Sequence, residues 1–62
     1  MTIYRVEAYA GWHLVKANNE KDARRDAAID YGTSIKSITK ATEDDINWYT
    51  NQRGEINEAS ND

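Results

Sequence analysis

The sequence predicts an α+β fold: a three-stranded, mainly antiparallel sheet with two helices, in the order β-β-α-β-α, followed by a polar C-terminal tail. Three observations predict it. Gly11, Gly32 and Gly54 each follow a patterned segment in a chain without proline, and glycine favours turns and helix ends. Residues 2–9 and 12–17 flank the short turn signal Ala10-Gly11 and read as the two strands of an antiparallel hairpin. Two later stretches open with an Asn or Thr cap and a first turn of acids, the chemistry of a helix start.

The first strand spans Thr2 to Tyr9, with Tyr4, Val6 and Ala8 on one face and Ile3, Arg5, Glu7 and Tyr9 on the other. Ala10-Gly11 is a turn signal, and Trp12 to Ala17 forms the second strand of a hairpin. Here His13, Val15 and Ala17 share one face, and Trp12, Leu14 and Lys16 share the other. Both faces therefore carry apolar groups, unlike a sheet with one face in water.

Asn18 or Asn19 caps the first helix, with Glu20 and Asp22 in its first turn. Ala23, Ala27, Ala28 and Tyr31 fall along one broad stripe, and the alanines let the helix approach the sheet closely. Ile29 points away from that stripe. The third strand is expected from Thr33 to Lys40. Ile35 and Ile38 differ in parity there, so either a bulge puts them on one face or both faces of the strand are covered. Thr42 caps the second helix, Asp45 stands in capping-box position, and the helix runs to about Arg53. Ile46 and Tyr49 fall together and Trp48 points away. Residues 1–54 thus make one domain, and residues 55–62 read as a disordered acidic tail.

Sixty-two residues bury little core, so supports matter. No cysteine is available for a disulfide or a thiolate metal site, and His13 is the lone histidine. Oligomerisation is the support left open. No apolar run is long enough to span a bilayer, and no secretory signal is evident, so a cytosolic location is expected. The net charge of −3 is uneven: residues 1–40 sum to +2 and residues 41–62 to −5.

No catalytic, cofactor-binding or metal-binding residues are assigned. The glycines are isolated, so no phosphate-cradling loop exists. Acids at Glu43, Asp44 and Asp45 are explained by a helix N-terminus alone, though they also suit a charged partner. Lys21, Arg24 and Arg25 are interleaved with Asp22, Asp26 and Asp30, which makes local ion pairs rather than a basic stripe. The aromatic residues are the most informative. Trp12 and Leu14, with Ile3 and Tyr9, lie on the hairpin face away from Val6 and Val15. Either helix two, on that face or an edge, covers them with Ile46 and Tyr49, or a dimer or partner does; Trp48 and Ile29, which fit no inward stripe, favour an interface. Tyrosine and tryptophan are enriched where proteins meet partners.

Two stretches resemble a known style of protein. Val15-Lys16-Ala17-Asn18-Asn19-Glu20-Lys21-Asp22-Ala23, closing a second strand and opening an alanine-spaced helix, is similar to short proteins of bacteriophages and other mobile elements. Ala41-Thr42-Glu43-Asp44-Asp45-Ile46-Asn47-Trp48-Tyr49 looks like them too. Among such proteins are small inhibitors of bacterial antiviral systems, including anti-CRISPR proteins and inhibitors of the Hachiman system. The resemblance implies a non-enzymatic protein that binds and inhibits a host defence protein stoichiometrically in the host cytoplasm. A homodimer is expected, with Trp12, Leu14, Trp48, Tyr49, Glu43, Asp44 and Asp45 as contact residues. The alternative is a small nucleic-acid-binding regulator using Arg5, Lys16, Arg24, Arg25, Lys36 and Lys40, whose binding would be salt-sensitive.

Overall fold

The hairpin forms as the pattern requires. In the computed structural model, which describes residues 1–32 and 34–59, β1 (Thr2–Ala8) pairs antiparallel with β2 (Gly11–Ala17) in register from Thr2↔Ala17 to Ala8↔Gly11. Tyr9 and Ala10 make the two-residue turn. β3 (Ile35–Lys40) pairs antiparallel with the other side of β1. Thr33, where the sequence starts this strand, lies outside the described residues.

The fold class holds, and the strand count is corrected. Residues Asn57–Glu58 form a fourth strand, β4, parallel to β2, so the sheet is four-stranded and mixed in the order β3-β1-β2-β4. The sequence analysis places a polar tail from Glu55 onward. Instead the Ala59 N–H donates to the Lys16 carbonyl at 2.8 Å, and Ala59 is buried in the core. Residues 60–62 of the expected tail lie outside the described residues.

One face of the sheet is covered by helix α1 (Glu20–Tyr31). Asn19 is its cap, accepting from the Asp22 N–H at 2.9 Å. Gly32 ends it at φ 58°, a conformation that suits glycine, and returns its N–H to the Ala28 carbonyl. Ala23 and Ala27 are fully buried against Tyr4, Val6, Val15, Ala17, Ile38 and Ala59. Ala28, expected on the same stripe, is exposed: 100° beyond Ala27, it falls past the edge of the contact. The register slips between Glu7 and Ala8, whose partners are Ser37 and Ile35. That bulge, with Lys36 as the extra residue, brings Ile35 and Ile38 to one core.

Helix α2 (Glu43–Arg53) lies on the opposite face. Its capping box is complete: the Asp45 N–H donates to Thr42 Oγ1 and the Thr42 N–H donates to Asp45 Oδ2, both at 3.1 Å. Gly54, at φ 88°, closes it. Both helices start at the end of the sheet where β1 begins and run back toward the hairpin turn. The Ala41 N–H meets the Ile3 carbonyl before α2, and Arg53 reaches Trp12 after it.

Candidate functional site

By strand alternation, the α2 side of the sheet presents Ile3, Arg5 and Glu7 from β1 and Trp12, Leu14 and Lys16 from β2. Leu14 is fully buried there and Tyr49 of α2 is nearly so. Burying a leucine or a similar apolar side chain stabilises the fold by about 1.5–3 kcal/mol. This second contact therefore fastens α2 to β2 without joining the α1 core.

Trp12 is the hub of the arrangement. Its ring centre lies 5.8 Å from that of Tyr49 and 5.3 Å from that of Trp48, with tilts of 50° and 35°. Both separations fall in the favourable range for aromatic pairs. The Arg5 guanidinium sits 4.2 Å from the Trp12 ring centre. Arg5 also donates to Asp45 Oδ1 at 2.9 Å and to Glu7 Oε1 at 3.1 Å, so β1 and the start of α2 are tied across the tryptophan. At the other end of α2, Arg53 donates to the Trp12 carbonyl at 3.0 Å and lies over the Tyr49 ring. The indole of Trp12 is thereby enclosed by Arg5, Trp48 and Tyr49, and its backbone carbonyl is engaged by Arg53.

The carboxyl of Asp45 is held below the usual carboxylate range. The main cause is the hydrogen bond from the Thr42 backbone N–H, which outweighs the opposing effect of burial; the Thr42 hydroxyl and the Arg5 charge add to it.

The expected contact residues separate into three kinds. Leu14 and Tyr49 have almost no surface to offer and support the site from beneath. Asp45 is engaged internally by Thr42 and Arg5. Trp12 is half-buried, while Trp48 is 47% exposed and Glu43 and Asp44 are exposed. The available surface is therefore the outer face of α2 with the rim of Trp12.

Arg5, expected in a basic set, and Arg53, for which the sequence offers no role, both contact the aromatic cluster. A signal for Arg5 was present: it shares strand parity with the face that carries Trp12. The rest of that basic set does not converge. Arg25 pairs with Asp22 at 3.5 Å on α1, Arg24 is exposed on the same helix, and Lys36 and Lys40 lie on β3. Lys16 lines a shallow groove with Thr50, Gly54, Glu55 and Ile56. Lysines and a bulge on β3 are features that discourage strand addition at a sheet edge.

Among the described residues, no group of three or more His, Cys, Asp or Glu side chains is placed to hold a metal ion. No helix among them is long and apolar enough to cross a membrane. No family model, curated protein or solved structure matches this chain.

Proposed function

We propose that this chain is a non-enzymatic protein that acts by stoichiometric binding to another protein, with the outer face of α2 as the contact surface. One observation carries the reading: Trp48 leaves 47% of its surface in solvent while its ring packs 5.3 Å from that of Trp12, which Arg5 covers and whose carbonyl Arg53 engages. A large apolar side chain kept in one orientation loses little entropy on binding, which is the economy of an interface anchor. The rest of that helix face is polar, as an interface rim is.

The resemblance to short phage proteins supplies the setting: the partner is a host protein of an antiviral defence, met in the host cytoplasm and inhibited by occupation. Homodimerisation belongs to the same proposal. Tyr9 and Ile29, each 79% exposed, are among the exposed apolar groups outside α2 that would serve it.

Two measurements test these parts separately. Tagged wild-type chain and Trp48→Ala are used to capture proteins from host lysate, with circular dichroism confirming that both are folded. Loss of one captured protein in Trp48→Ala supports the surface; identical capture by both rejects it. Light scattering at micromolar concentration should give twice the chain mass, and a monomer throughout removes the dimer.

A further inference from the structure

Resting on the binding role of α2, we infer that its outer face takes a basic protein surface, with an arginine of the partner laid on Trp48. The face is exposed and has no covering element among the described residues. Asp44, one turn before Trp48, and Asn51 and Gln52, one turn after it, share its side of the helix and are all exposed. Glu43 adds a second exposed carboxylate at the same end. The one cation of α2, Arg53, turns toward β2 to meet the Trp12 carbonyl. The exposed tryptophan thus has a carboxylate and two amides beside it and no positive charge on its own helix face.

Charge complementarity selects the occupant. An indole face attracts a cation, and a guanidinium stacks on it while still donating to a carboxylate and to side-chain amide oxygens. The same protein already shows this geometry inside, where Arg5 covers Trp12 and binds Asp45 and Glu7. Trp48 and Asp44 offer the outside equivalent, with the arginine left to be supplied. An acidic segment or a nucleic acid strand would bring its negative charge against Glu43 and Asp44, so neither suits this face.

The test uses the full chain and fluorescein-labelled repeat peptides of Arg-Ser, Lys-Ser and Glu-Ser, read by anisotropy at low and moderate salt. The Arg-Ser peptide should bind, with the Lys-Ser peptide about threefold weaker and the Glu-Ser peptide not binding. Trp48→Ala should weaken Arg-Ser binding about fivefold, Trp48→Phe less, and Asp44→Asn about twofold. Equal binding of the Arg-Ser and Glu-Ser peptides, no binding of the Arg-Ser peptide, or indifference to Trp48→Ala overturns the inference. So does self-association that Trp48→Ala abolishes and the Arg-Ser peptide fails to compete, because the occupant is then a second copy. If the peptides fail but capture of a host protein still depends on Trp48, the arginine chemistry falls and the binding role of α2 stands.

Discussion

The two helices cover the two faces of the same sheet by opposite means. α1 brings Ala23 and Ala27, both fully buried against the strands, and adds Tyr31, whose ring lies 5.1 Å from that of His13 at the helix end. α2 brings Tyr49 and the flank of Trp48, side chains with apolar bodies and polar tips, and ties them down with two arginines. The first contact is made mainly by small side chains. The second depends on charge and ring geometry, and it leaves a large aromatic side chain half in water. Both contacts therefore hold the fold, but only the aromatic one keeps a large apolar side chain exposed at its outer edge.

The largest loss of stability is expected from Leu14→Ala. It removes the main aliphatic anchor of the α2 contact, and a fully buried leucine replaced by alanine should cost about 2–5 kcal/mol in urea unfolding. Ala27→Leu attacks the other face by overfilling. With Ala27 wholly buried, α1 must shift outward, and a loss of about 1–3 kcal/mol is expected. A stability equal to wild type would show that the α1 contact is looser than its burial implies.

Asp45→Asn sharpens the comparison through pH. The folded pKa of Asp45 lies below its ordinary value near 3.8, so its ionised form contributes stability that is fully present above that value. The contribution fades as pH falls through the lowered folded value. Asp45→Asn should therefore cost about 1 kcal/mol near neutrality, a typical loss for a removed hydrogen bond. The gap from wild type should close in acid, and a gap that widens there contradicts the assignment. The smallest effect on the fold is expected from Trp48→Ala. Much of its surface is already wet, so melting should show a loss below about 1 kcal/mol. A large loss would make Trp48 a structural residue first.

The sequence made much of this legible because many of its signals are local. Asn19 and Thr42 cap by hydrogen bonds three residues away, and the parity clash of Ile35 and Ile38 is resolved by a bulge, one of the two outcomes it allows. β4 left no such trace. Asn57 and Glu58 are both exposed, so no apolar alternation marks them; their place is set by backbone pairing to β2 and by one small residue, Ala59. The site was legible in its aromatic residues and not in its arginines. Trp12 and Trp48 stand out by type, whereas Arg5 and Arg53 gain their roles from partners 40 and 41 positions away.

The two-residue pairing of β4 also has a consequence for aggregation. It occupies the flank of β2 at Val15 and Lys16 and seats Ala59 in the core. Were β4 to peel away, that flank would become an open strand edge, onto which strands of neighbouring molecules can zip.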